Sequence, residues 1–235
     1  MISSTPARSS TTAISLDAII FDLDGVLIDS EGVWNAARRE VATSHGGHWP
    51  DDAQRAMMGM SSTEWSTYMT EDLGVQLSPQ RVSETVVERL VELYREHLPL
   101  LPGAREAVTE LARKWPLALA SSANRSIIDL VLELAELEPC FSATLSSEEV
   151  PRGKPAPDVY LEAARRLGVP PNDCAAVEDS SNGLRSAAAA EMLVIALPNR
   201  EFPPQNDALA LAADVLGSIA ELTPQRLERL ASSRA

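Results

Sequence analysis

Short apolar runs separated by helix-length amphipathic segments constrain this chain more than any other feature. Residues 16–21 (LDAIIF), 117–120 (LALA), 174–177 (CAAV) and 192–197 (MLVIAL) are almost unbroken in apolar character, with a weaker run at 143–145. Runs this short and continuous suit strands buried on both faces of a parallel sheet, because no solvated face imposes alternation. Between them, residues 104–114, 126–137, 157–167 and 181–190 carry helical patterns. Strands alternating with helices predict an α/β fold: a Rossmann-like three-layer core with a mostly parallel sheet.

One segment interrupts the alternation. Residues 31–98 contain no strand pattern, only amphipathic stretches at 32–44, 53–58, 62–70 and 79–97. That is too long for an ordinary crossover and predicts a small α-helical unit inserted after the first strand. The LPLLPG stretch at 98–103 reads as the return hinge, since its prolines stop a helix and its glycine permits a turn. The expected organisation is a tail at 1–15, an α/β core formed by 16–31 and 99–222, a helical cap at 32–98, and a C-terminal helix or tail at 223–235. The Ser/Thr-rich start, with one Arg and no acid before residue 15, reads as a disordered tail, although it loosely mimics an organelle transit peptide.

The balance of charge narrows the partners. A net charge of -14 and a pI near 4.6 argue against nucleic acid or an anionic membrane as the main partner, since both select a basic surface. Cys140 and Cys174 each lie beside apolar residues, which predicts reduced buried thiols. No apolar run of about 18 residues and no secretory pattern occurs, so the expectation is a soluble cytoplasmic protein. A monomer or weak homo-oligomer acting on a small molecule is expected.

Four polar clusters follow the apolar runs, and in an open parallel sheet ligands bind outside the carboxyl ends of the strands. The first, Asp22-Leu-Asp24-Gly25 through Asp29-Ser30, sets two carboxylates two residues apart on a chain leaving a strand. One is placed to attack and the other to move a proton, although an acidic turn has the same composition. The second, Ser121-Ser122-Ala123-Asn124-Arg125, offers hydroxyls and the amides of a starting helix to a phosphate, or a plain helix cap. The third, Arg152-Gly153-Lys154-Pro155, fixes an ammonium in a stiff turn, or places a solvated lysine there. The fourth, Glu178-Asp179-Ser180-Ser181-Asn182-Gly183, supplies hard oxygen ligands of the kind Mg²⁺ selects, or another cap.

Taken together, the order and placement of these clusters resemble the haloacid dehalogenase superfamily, and within it the phosphatases whose helical cap follows the first strand. The resemblance spans about residues 16–222. It implies that Asp22 is a nucleophile forming an aspartyl-phosphate and Asp24 a general acid and base. On the same resemblance, Ser121 and Lys154 would hold the phosphoryl group, and Asp22, Asp179 and the backbone carbonyl of Asp24 would ligate Mg²⁺, with Glu178 as a weaker contact. The second aspartate favours phosphoryl transfer over dehalogenation, because halide leaves without a proton.

The stretch from Met57 to Trp65 (MMGMSSTEW) resembles the family's substrate-reading loop, which makes Gly59, Met60 and Ser61 candidate substrate contacts. Ser122, Asn124 and Trp34 join them, with Asn35 beside Trp34. LIDSEGVW, LLPGAREAV and VEDSSNG resemble the bacterial phosphatases acting on 2-deoxyglucose 6-phosphate and hexitol phosphates. β-Phosphoglucomutase is a more distant likeness. Its cap carries histidine where Trp34 stands here and arginine where Ser62 stands, so a phosphatase is expected rather than a mutase. A binding protein without turnover is the remaining alternative, opposed by the complete set of Asp22, Asp24, Ser121, Lys154 and Asp179.

Overall fold

The computed structural model describes residues 16–58, 60–200 and 202–233. The tail expected at 1–15 and the candidate contact Gly59 lie outside them. The chain opens with strand β1 (Ala18–Phe21), followed by four helices, α1 (Glu31–Ser44), α2 (Ala53–Met57), α3 (Ser62–Glu71) and α4 (Pro79–Glu96). Then come α5 (Ala104–Ala112), β2 (Leu117–Ser121), α6 (Arg125–Ala135), β3 (Phe141–Ser146), α7 (Asp158–Leu167), β4 (Cys174–Glu178) and α8 (Ser181–Ala189). The chain ends with β5 (Leu193–Ala196), α9 (Asn206–Leu209), β6 (Asp214–Val215) and α10 (Pro224–Ser232).

The six strands form one sheet in the order β3-β2-β1-β4-β5-β6, every pair parallel. This is the Rossmann-like α/β architecture expected from the alternating runs. Both faces of β1 are buried, and successive side chains divide between them: Ile19 and Phe21 join one apolar core, Ala18 and Ile20 the other. That division explains why the strand sequence shows no polar alternation. Each large aliphatic side chain so buried stabilises the fold by about 1.5–3 kcal/mol.

From β1 the chain adds β2 and then β3 on one side and crosses over from β3 to β4 on the other, so the strand order reverses at β1 and the carboxyl ends of β2, β1 and β4 border one crevice. Phe21 is in register with Leu119 of β2 and Val177 of β4. The residues that follow on each strand therefore reach the same level.

Helices α1 to α4 occupy the chain between β1 and α5, and the two crossings that join them to the sheet run side by side. Asp29 N–H donates to Pro99 O at 2.8 Å and Leu101 N–H to Leu27 O at 2.9 Å, beside an antiparallel bridge between Ile28 and Leu100. The return stretch at 98–103 is thus half of a paired neck. Helix α10 buries Leu227 completely in the core that contains Ile19. No helix among the described residues is long and apolar enough to cross a membrane. Neither cysteine is in a disulfide; Cys174 is buried, whereas Cys140 is only half-buried.

Candidate active site

Asp22 follows β1 directly, its N–H donating to Val177 O of β4 at 3.0 Å, which sets its carboxylate over the sheet's carboxyl edge. Lys154, from the loop before α7, reaches the same point. Its Nζ donates to Asp22 Oδ1 at 2.6 Å, to Glu178 Oε1 at 2.6 Å and to Ala120 O at 3.0 Å. These acceptors come from β1, β4 and β2, so one ammonium ties together three strand ends. The lysine is not a solvated loop residue: it is 8% exposed and lies 5.1 Å from the Tyr160 ring.

Glu178 is fully buried, and both of its oxygens are engaged by protein donors. Oε1 accepts from Lys154 and from the Tyr160 hydroxyl at 2.7 Å. Oε2 accepts from Asp179 N–H at 3.1 Å, Ser180 Oγ at 3.2 Å and Ser180 N–H at 3.4 Å. Such a carboxylate acts as an anchor for the lysine and for the first turn of α8. Ser180 also caps that helix, its Oγ accepting from Gly183 N–H at 3.0 Å.

The Glu178 carboxylate leaves no room for a side chain at Gly183, where an added Cβ would lie 1.9 Å from its carbon. Gly183→Ala is therefore expected to destabilise the protein by about 1–3 kcal/mol, as overpacking against a hydrogen-bonded buried group does. Gly32→Ala, in open space on α1, is expected to leave stability unchanged or slightly raised. Urea unfolding midpoints compare the two.

Asp22, Glu178 and Asp179 offer ligand atoms within 4.8 Å of one another, and all three residues are buried. Three carboxylates face one ammonium there. Burial pushes the Asp22 carboxyl up to about 8, opposed by Lys154 and reinforced by Glu178 and Asp24. Burial likewise raises Asp179 well above the usual carboxylate range, with Glu178 and Asp22 adding to it. Burial alone would lower the Lys154 pKa, but Asp22 and Glu178 outweigh it and hold the ammonium above its ordinary value. The buried excess of negative charge is what a divalent cation with oxygen ligands relieves. Gly25 makes this packing possible: its φ is +76°, and a Cβ there would stand 2.0 Å from Asp179 Oδ2.

Asp24 is held from the helical side. Ser30 Oγ donates to its Oδ1 at 2.5 Å and Trp34 Nε1 donates to the same oxygen at 3.0 Å. No hydrogen bond to Oδ2 is formed among the described residues, and Asp24 lines a cavity of about 570 Å³ together with Asp22, Lys154 and Asp179.

The other expected residues divide. Trp34, Met60 and Ser122 line this cavity. Ser121 is fully buried at the end of β2, its hydroxyl accepting from Ala123 N–H at 3.0 Å, and it lies behind the lining. Asn124 is turned away, donating to Glu148 Oε1 at 2.7 Å. Ser61 caps α3 in a reciprocal pair with Glu64, a role that fixes the loop rather than facing the cavity. Asn35 and Ser62 also lie outside the lining. Glu31, Arg38 and Trp65 line it without having been singled out from the sequence. Arg38 and Trp34 are four apart on α1, a spacing that places them on one face.

A family model for haloacid dehalogenase-like hydrolases matches residues 16–191. Hexitol phosphatase B of Escherichia coli (strain K12) is 39% identical over 218 residues, 89% of this chain and 96% of that protein. The phosphorylated carbohydrates phosphatase of Thermotoga maritima is 34% identical over 177 residues, 74% of this chain and 82% of that one. Among solved structures, β-phosphoglucomutase from Clostridium difficile aligns with a TM-score of 0.79 at 24% identity, over 93% of this chain and 98% of that one. That last likeness concerns the fold.

Proposed function

The chain belongs to the haloacid dehalogenase-like hydrolases, and from that membership we propose a phosphoric monoester hydrolase acting on a small sugar or sugar-alcohol phosphate through a covalent phosphate on Asp22. The observation that carries this reading is the joint placement of Asp22, Asp24, Lys154 and Asp179 on one cavity at the carboxyl edge of the sheet.

Lys154 occupies Asp22 Oδ1, which leaves Oδ2 to attack phosphorus as the ester P–O bond breaks. The departing alkoxide takes a proton from Asp24 Oδ2, whose partner oxygen Ser30 and Trp34 hold in place. Asp24, now a carboxylate, accepts a proton from water as that water's oxygen bonds to phosphorus. The bond to Asp22 breaks, phosphate leaves, and both aspartates return to their starting forms. Ser122, which lines the cavity at the turn before α6, would meet the phosphoryl oxygens, with Ser121 behind it bracing the turn through Ala123 N–H.

Asp22 and Asp179, with the backbone carbonyl of Asp24, would hold Mg²⁺, and Glu178 stands behind them as the anchor of Lys154. When bound, the ion neutralises the charge shared by the phosphate dianion and the nucleophile, which otherwise repel. The helices of residues 31–96 act as the cap that covers the ester and selects it.

A phosphate-release panel tests the reading. Glucitol 6-phosphate and 2-deoxyglucose 6-phosphate in the presence of Mg²⁺ are expected to yield inorganic phosphate, and chelation is expected to abolish the release. Conversion of β-glucose 1-phosphate to glucose 6-phosphate, with little free phosphate, would favour a mutase instead.

A further inference from the structure

The helical side of the cavity carries a cation that the steps above do not use. Arg38 on α1 is 7% exposed, with its guanidinium carbon 4.6 Å from the Trp34 ring centroid and 5.0 Å from that of Trp65. Among the described residues it forms no ion pair and no hydrogen bond, and its Nε is buried without a partner. Indole faces stabilise the charge of a guanidinium, but they satisfy none of its five in-plane N–H donors. A buried group of this kind is costly unless acceptors reach it, and the cavity it lines is where they arrive.

Glu31 lines the same cavity. Its Oε2 accepts from Gln54 Nε2 at 2.6 Å, and burial raises its pKa, with Asp24 adding to the effect and Arg38 opposing it. Buried Arg38 and half-buried Glu31 are together close to neutral, and Arg55, the other guanidinium on this wall, is exposed, so the buried part of the wall is not built to draw a second phosphate. It does present donors, acceptors and two indole surfaces to one small volume, and that combination suits a body rich in hydroxyl groups. The oxygens of such a body would accept from Arg38, whose guanidinium already lies over the two rings.

We propose that Arg38 is a specificity-determining residue, donating to hydroxyl oxygens in the uncharged polyol or sugar part of the substrate. The proposal rests on phosphate ester hydrolysis at Asp22 and adds to it the group that reads the remainder of the ester.

The test compares glucitol 6-phosphate with phenyl phosphate, an ester without hydroxyl groups, for the unaltered enzyme, Arg38→Met and Arg38→Lys. The ratio of kcat/KM for the two esters is expected to fall about tenfold or more in Arg38→Met, chiefly through KM for the polyol ester, with partial recovery in Arg38→Lys. Where Arg38→Met does not fold, as judged by its thermal transition, Arg38→Lys carries the comparison and is expected to fall between. An unchanged ratio in folded variants overturns the assignment. So does a preference of the unaltered enzyme for glucose 1,6-bisphosphate that Arg38→Met removes, since Arg38 would then read a second anion. If the unaltered enzyme releases phosphate from neither ester, the Asp22 reading fails and this proposal with it; turnover with an unchanged ratio contradicts Arg38 alone.

Discussion

Asp22→Asn is expected to lower phosphate release by at least about 10⁴-fold while leaving the fold intact, because an amide oxygen in that position cannot form the covalent phosphate. The substitution preserves shape and removes one negative charge from a buried cluster in which Asp22, Glu178 and Asp179 face Lys154 alone. Burial already works against ionisation of Asp22. The variant should therefore be at least as stable as the parent protein, and the loss should fall on kcat rather than on binding of the ester. Phosphate release and thermal unfolding, measured together, separate the two effects. Retained turnover in a stable Asp22→Asn protein would remove Asp22 from the chemistry.

Lys154→Met should reverse that pattern, with loss of stability as well as activity. Its Nζ donates to acceptors on three strand ends, and both of its ion-pair partners are buried with it. Truncating one partner of a buried pair leaves the other charges uncompensated, at a cost of about 3–5 kcal/mol. The methionine keeps a stem of similar length but removes the charge, and with it the ammonium that lies 5.1 Å from the Tyr160 ring centroid. Activity is expected to fall by about 10²–10³-fold, the scale for losing one preorganised group that stabilises transferring charge. By contrast, cutting the surface pair of Arg81, which is exposed, and Glu84, which is half-exposed, should leave unfolding nearly unchanged. A Lys154→Met protein as stable as the parent would show that the three strand ends do not depend on this ammonium.

The parts of the fold legible in the sequence are those where burial leaves its mark residue by residue. β1, β2, β4 and β5 are buried throughout and read as continuous apolar runs. β3 was faint because its first four residues are only partly buried, or exposed, at the sheet edge. β6 escaped because it is two residues long, begins with Asp214 and buries neither side chain fully. Helix ends fell within a residue or two of the patterns, since Ser61, Ser78, Ser180 and Thr223 cap their helices with side-chain acceptors.

In the site, strand-end logic finds the positions but not the directions in which side chains turn. Asp22 and Lys154 are 132 residues apart, and only the parallel sheet brings them into contact. Asn124 has the composition of a phosphate contact, yet Glu148 draws it aside from across the β3 turn. Glu178 reads as a metal ligand beside Asp179, yet Tyr160 and Lys154 take one of its oxygens and the turn into α8 the other. Arg38 was hidden by its neighbour. Arg38 and Arg39 are identical and adjacent, but successive residues on a helix point about 100° apart, and the first is buried while the second is exposed. No local signal distinguishes them, because the two tryptophans that cover Arg38 are 31 residues apart in the chain.

The covalent phosphate on Asp22 is tested most directly by trapping it. Asp24→Asn, given p-nitrophenyl phosphate, loses a leaving group that departs without a proton but lacks the base that would activate water, so phosphate should accumulate on the enzyme. Borohydride reduction of the quenched reaction converts an aspartyl-phosphate to homoserine, which peptide mass mapping locates. Homoserine at position 22, formed only with substrate present, is the predicted result. An unreduced Asp22 in enzyme that has released a burst of nitrophenolate, or the reduced residue at another position, would contradict it.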